Sequence, residues 1–274
     1  MNARVLALLL LLAAPSCFSG DFVVAEVEQG GGNAAGSGSG SGALAGNGGS
    51  GGTPGAGGEA GSATPSCTGN ALFVVGDALL TRGDSAILDR LRGLGYVVSI
   101  IAATMVTTDS AQGMDFVFIS RSVHSPEVMA SFRDQAVGLF VTEYNLYASL
   151  GMTDKATSAS GGDTLPSTEL TIVDPTHPLA AGLSGTVTVL TAGKGQYGFG
   201  VPGGDAVVVA NLVDEPQGAA IFAYEKGATM VGLSAPARRI GYFLDIQAST
   251  RLTSEGWALF DAAARWSAGD CATR

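Results

Sequence analysis

Ala71-Leu72-Phe73-Val74-Val75-Gly76-Asp77 is the stretch on which the fold turns. Five apolar residues run without alternation and stop at Gly-Asp. That pattern reads as a strand buried on both faces, as in a parallel sheet. Asp84 opens a helical pattern with Ile87, Leu88, Leu91 and Leu94 on one face, and Gly95 supplies the stop. Tyr96-Val97-Val98-Ser99-Ile100-Ile101 reads as the next strand and Asp115-Phe116-Val117-Phe118-Ile119-Ser120 as a third. Ser125 to Gln135 is predicted helical, with Val128, Phe132 and Ala136 inward, and Val137-Gly138-Leu139-Phe140-Val141-Thr142 is a fourth strand. Strands alternating with helices at this spacing build βαβ units.

Further along, strand-like runs crowd together. They are Leu170-Val173, Val187-Leu190, Ala206-Ala210, Ala219-Tyr224 and Ile240-Leu244, several of them expected to pair antiparallel. Thr253 or Ser254 caps a last helix that places Trp257, Phe260 and Ala264 on one face. The expected fold is α/β: a doubly wound, flavodoxin- or Rossmann-like, mostly parallel sheet with helices on both faces and a β-rich second half.

Working back from residue 71, the composition changes. From Gly30 to Gly61 there are 16 glycines in 32 residues. Such a chain has no apolar area to bury and gains nothing by ordering. A coil of about 37 such residues has a root-mean-square span of roughly 30–35 Å. The glycines do not fall at every third position, so a collagen helix is excluded. The domains expected are a signal peptide over residues 1–17, a Gly/Ser-rich tether over 18–66, and one α/β domain over 67–274.

The leader places Arg4 before the apolar run Val5 to Ala14, a signal-peptide pattern too short to anchor stably in a bilayer. Its end, Ala13-Ala14-Pro15-Ser16-Cys17, resembles a lipobox, in which small residues precede a cysteine that is lipidated and becomes the new N-terminus. Ala14 stands where that pattern favours Leu. The resemblance implies an exported cell-envelope lipoprotein lipidated at Cys17; Phe18 rather than Asp next to it implies the outer membrane. Cleavage that releases a secreted protein is the alternative.

Of 24 acids and 14 bases, Asp21, Glu26, Glu28, Glu59 and Arg4 precede residue 67, which leaves the domain at −7. An acidic domain without a Lys/Arg run is a poor partner for nucleic acid or anionic lipid. The expected contact with a membrane is therefore through the lipid alone. Cys67 and Cys271 flank the domain, and in an oxidising compartment such a pair reads as a disulfide. There is no CxxC, and only His124 and His177 offer imidazoles, so no metal site is expected. Gly76-Asp77 lacks the GxGxxG spacing of a dinucleotide site, no GxSxG elbow is present, and no cofactor is expected. Glycines 193, 195, 198, 200, 203 and 204 read as a mobile loop.

In doubly wound sheets ligands sit beyond the C-terminal ends of the strands. Here those ends offer Asp77, then Ser120-Arg121-Ser122-Val123-His124, then Glu143-Tyr144-Asn145 and Tyr147. The ligand-binding candidates are Asp77, Ser122, His124, Glu143 and Tyr144. Carboxylates with a histidine and aromatics suit a carbohydrate or another polar small molecule, and Asp77, His124 and Glu143 together have the make-up of an acid–base set. The competing reading makes Asp77 and Ser122 helix caps, pairs Glu143 with an arginine, and packs the tyrosines.

Ile172-Val173-Asp174-Pro175-Thr176-His177-Pro178-Leu179-Ala180-Ala181-Gly182-Leu183 is similar to a stretch of ThuA-like proteins, which carry Asp-Pro-x-His-Pro-Ile followed by Gly-Leu. The third strand and the unit from Phe132 to Thr142 fit the same layout. Over most of residues 70–268 the chain resembles this branch of the class I glutamine amidotransferase-like fold. The amidotransferases carry a nucleophilic Cys at the sharp turn after a central strand; here that turn reads Val141-Thr142-Glu143-Tyr144. No cysteine lies between 67 and 271, and no His-x-Glu pair stands near the C-terminus. The resemblance thus implies the fold without glutamine hydrolysis. The function expected is a tethered, non-catalytic domain that binds a polar ligand, a carbohydrate for instance, or a surface-protein partner. The alternatives are a carbohydrate-active enzyme using carboxylates at the strand ends and a structural surface module. His177, inside the motif, is expected to fix its loop as a hydrogen-bond donor.

Overall fold

The computed structural model describes residues 69–77, 79–124, 127–154, 161–163, 167–191 and 197–269. Cys17, the tether, Cys67, Cys271, Gly193 and Gly195 lie outside the described residues, and with them the lipidation and disulfide expectations.

The strands are β1 (Asn70–Val75), β2 (Val97–Ala102), β3 (Phe116–Ile119), β4 (Gly138–Val141), β5 (Gly161–Asp163), β6 (Glu169–Ile172), β7 (Gly185–Thr188), β8 (Gly198–Gly200), β9 (Val207–Leu212), β10 (Ala219–Tyr224), β11 (Thr229–Met230), β12 (Leu233–Ser234) and β13 (Arg239–Tyr242). The α-helices are α1 (Arg82–Gly93), α2 (Glu127–Phe132) and α3 (Ser254–Ala268). One sheet runs in the order β2-β1-β3-β4-β13-β10-β9-β6-β7, with β5 and β8 attached beside β10. From β2 to β13 neighbouring strands are parallel. From β13 onward they are antiparallel. The α/β fold with a parallel first half and a β-rich second half is the one expected.

Alternation along the parallel strands divides the core between two faces. Ala71, Phe73, Val75, Phe116, Phe118 and Phe140 face α1 and α3, which contribute Ile87, Leu91, Leu259 and Phe260. Leu72, Val74, Val117, Ile119, Leu139 and Val141 face α2 with Val128 and Phe132. Both sides of these strands are therefore apolar, which is why their sequences do not alternate. Arg90 grips Asp261 through Nε at 2.7 Å and Nη2 at 2.6 Å, and its guanidinium lies over Trp257, so α1 and α3 are fastened side by side.

Three local expectations are corrected. Asp84 is not the residue before α1: Thr81 is the N-cap, and Asp84 is the third helical residue, returning the bond as a capping box. The second helix ends at Phe132 rather than Gln135, while its expected start at Ser125 lies outside the described residues. Gly198 and Gly200 lie in β8 rather than in a loop.

The Asp174-Pro-Thr-His-Pro motif is a self-contained turn. Asp174 Oδ1 accepts from Thr176 N, Thr176 Oγ1 and His177 N. His177 fixes the loop as expected but as an acceptor: its Nδ1 takes the Leu179 N–H at 3.2 Å, while its ring packs 5.8 Å from that of Trp266. Burial lowers the His177 pKa below its ordinary 6.5; Asp174 and Glu225 oppose this and Arg238 adds to it. The unfolded chain therefore takes up this proton more readily than the folded one. The contribution of His177 is full above pH 6.5 and is lost as pH falls through its lowered pKa. Asn is a good cap that does not titrate there, so the melting temperature of His177→Asn should fall less than that of wild type between pH 7.5 and 5. Parallel curves would contradict the assignment.

Candidate functional site

After β1 the chain passes through α1 to β2 on one side, then returns across to β3 on the other. The sheet order thus reverses between β1 and β3, and in open α/β sheets such a switch point leaves a crevice beyond the strand ends. A cleft of about 560 Å³ opens there, lined by residues 76, 77 and 79 after β1, Thr81 and Asp84 at the start of α1, Arg121, Ser122 and His124 after β3, and Asp245 and Ile246 after β13.

Two glycines bring its walls together. A Cβ on Gly76 would sit 2.0 Å from the Ser122 carbonyl oxygen, and one on Gly83 would sit 1.8 Å from that of Ile246. Only residues without a side chain let the three loops approach this closely.

The floor is a polar network around Asp84, which is buried. Its Oδ1 accepts from Ser120 Oγ at 2.6 Å and Ser122 Oγ at 3.3 Å. Its Oδ2 accepts from Thr81 N at 3.2 Å and Thr81 Oγ1 at 2.8 Å. Ser122 Oγ in turn takes the Gly76 N–H at 3.0 Å. One carboxylate thereby ties the α1 N-terminus to the end of β3, and Asp84 serves as the structural floor of the cleft.

Parallel pairing of β3 with β4 sets Ile119 beside Val141, so two residues further on Arg121 stands beside Glu143. The two form an ion pair, with Glu143 buried and Arg121 largely so. Glu143 Oε1 also accepts from Asn145 N at 3.0 Å and Asn145 Nδ2 at 2.6 Å. Burial raises the Glu143 pKa above 4.5, with Arg121 and Asn145 pulling it back. The Arg121 guanidinium lies 4.4 Å above the centre of the Tyr144 ring.

Of the five candidate ligand residues, Asp77, Ser122 and His124 line the cleft; Glu143 and Tyr144 stand behind it and hold Arg121. The arginine pairing weighed for Glu143 is the arrangement found. Asp77, His124 and Glu143 do not surround one space, which removes the three-residue acid–base set. Thr81, not Asp77, caps α1, and the Ser122 hydroxyl belongs to the floor; the residues that open α2 lie outside the described residues. Tyr147 is buried, taking the Tyr242 N–H at 2.9 Å and bonding the Tyr242 carbonyl at 3.2 Å, so it clamps β13 to the end of β4. The turn after β4 is relaxed, with Glu143 at φ −82° and ψ 95°, and among the described residues only Ala181 combines a side chain with positive φ.

Sequence reasoning placed Arg121 at a strand end without making it a ligand candidate, and missed Leu79, Asp245 and Ile246. Asp245 follows the apolar run Ile240-Leu244 directly, where the same strand-end rule could have marked it. Among the described residues no group of three or more His, Cys, Asp and Glu could hold a metal ion. No described helix is long and apolar enough to cross a membrane.

No family model and no curated protein sequence matches the chain. Among solved structures, a GMP synthase component from Thermoplasma acidophilum is similar at 15% identity and a TM-score of 0.48, over 75% of this chain and 95% of that one. PurLQS of Thermotoga maritima is similar at 12% identity and a TM-score of 0.44, over 72% and 98%. At these identities the likeness is one of chain path alone.

Proposed function

We propose that residues 67–274 form a ligand-binding domain of the class I glutamine amidotransferase-like, ThuA-like type, whose switch-point cleft takes a small, polar, sugar-like molecule. In this reading the leader exports the chain, lipid on Cys17 holds it at the cell envelope, and the glycine tether displays the domain. The observation that carries the binding role is the convergence of Asp77, Arg121, Ser122, His124 and Asp245 on one cleft of about 560 Å³. Carboxylates accept from ligand hydroxyls, the arginine and imidazole add donors, and Leu79 and Ile246 offer apolar surface for the C–H face of a ring.

The non-catalytic part of the reading rests on Glu143. It occupies the turn where the amidotransferases place their thiol, and it is buried and ion-paired. A carboxylate so held is a poor nucleophile toward an amide carbon.

Calorimetric titration against a panel of mono- and disaccharides tests the proposal. Asp77 and His124 are exposed, so their replacement by alanine should leave the melting temperature nearly unchanged. Losing charged or polar ligand contacts should weaken binding about tenfold or more in each variant. Affinities equal to wild type in both variants would refute the assignment of the cleft.

A further inference from the structure

β2 is the terminal strand of the sheet, paired with β1 and, among the described residues, with nothing on its other side. The Val97 N–H donates to Gly69 O on the β1 side at 2.8 Å. Backbone groups alternate along a strand, so Ser99 and Ile101 also face β1, and the N–H and C=O groups of Val98, Ile100 and Ala102 point outward. Each face of the edge presents an exposed apolar side chain, Val97 at 66% on one and Ile100 at 42% on the other, with exposed Ser99 beside Val97. Just beyond β2, Met105 is also exposed.

Edge strands are ordinarily blunted with charge, proline or a bulge. This one has none of them. From Gly93 to Thr108 the sequence contains no charged residue and no proline, within a domain of net charge −7, and the β1–β2 register is unbroken over six pairs. On an acidic molecule, this edge strand itself carries no charge to repel a second acidic copy.

We infer that β2 is a self-association edge, pairing antiparallel with β2 of a second copy about a two-fold axis. The outward groups fix the register. Residues that exchange both bonds must be outward-facing on both strands, and among the two-fold registers that satisfy this, the one that engages all three outward residues of β2 sets Ile100 opposite Ile100 of the other copy and Val98 opposite Ala102. This closes about six hydrogen bonds and covers the exposed valine and isoleucine of each copy. Two-fold symmetry makes the contact isologous, so it stops at a dimer instead of growing into a fibre. Six residues a side make a small interface, and the dimer is weak in dilute solution. Display of many copies on one surface would raise their effective concentration.

Hydrogen exchange of the full chain, in mild detergent, at about 1 µM and about 300 µM tests this. Exchange over residues 96–103 should slow about tenfold or more at the higher concentration while β3 is unchanged. Ile100→Lys sets two cations against each other on the axis and should abolish the concentration dependence. Val97→Lys, at a more exposed position, serves if the first variant loses protection in β3. Val213→Lys, an exposed valine away from the edge, should behave as wild type. Exchange that is the same at both concentrations, whether fast or protected, would overturn the inference. So would concentration dependence that survives both lysine substitutions.

Discussion

Replacing Arg239 with alanine should cost about 3–5 kcal/mol, enough to unfold much of the protein at 37 °C. The side chain is fully buried at the start of β13. It donates to carbonyls: Nη1 to Val137 at 2.6 Å and Arg238 at 3.1 Å, and Nη2 to Gln135 at 2.7 Å. Val137 and Gln135 belong to the connection from α2 into β4, so one guanidinium holds the loop that delivers the central parallel strand. Burial lowers its pKa to about 10, with Asp134 opposing, so it stays charged at neutral pH. Truncation would strand several buried carbonyls and open a cavity. Arg239→Lys should recover little, because a single ammonium cannot reproduce the planar fork. A denaturant midpoint for Arg239→Ala close to that of wild type would show that this buried cation is dispensable.

Glu143→Ala should cost about 3 kcal/mol and also disturb the cleft. Removing the carboxylate takes from Arg121, largely buried, the ion pair with Glu143, and leaves the Asn145 donors without this acceptor. Arg121 lines the cleft, so its release should weaken ligand binding indirectly. Glu143→Gln separates the two effects. It keeps the shape and an acceptor for Asn145 while dropping the charge, so it should restore part of the stability and little of the arginine's position. If Glu143→Ala abolished binding while melting with wild type, Glu143 would be a direct ligand contact after all, as the strand-end rule suggests.

The interior of the parallel half was legible because β1, β3 and β4 are buried on both faces. Leu72-Val75, Phe116-Ile119 and Leu139-Val141 have no other use for unbroken apolar runs. The starts of α1 and α3 were legible to within a turn; choosing Thr81 over Asp84 as the cap needed the reciprocal bonds of the capping box, which only geometry displays. The antiparallel half was harder. Its short strands take their partners from tertiary contacts, and the glycines of β5 and β8 carry the same sequence signal as a turn. The cleft was half legible. The rule that ligands sit beyond strand ends found Asp77, Ser122 and His124, but it presented Glu143 as their equal. What separates them is the side-by-side placement of β3 and β4, which sets Arg121 against Glu143 and spends that carboxylate on a buried pair. Asp245 was missed for a related reason: its strand, β13, pairs parallel with β4 although the two are far apart in the chain.

The central claim is that the space between the ends of β1, β3 and β13 is where this domain binds. Amide chemical-shift mapping on isotopically labelled protein, titrated with mono- and disaccharides to about 10 mM, addresses it most directly. Saturable shifts are expected to concentrate in residues 76–81, 121–124 and 245–246 and to be reduced in Asp77→Ala and His124→Ala. Saturable shifts centred elsewhere on the domain, or none with any sugar of the panel, would contradict it.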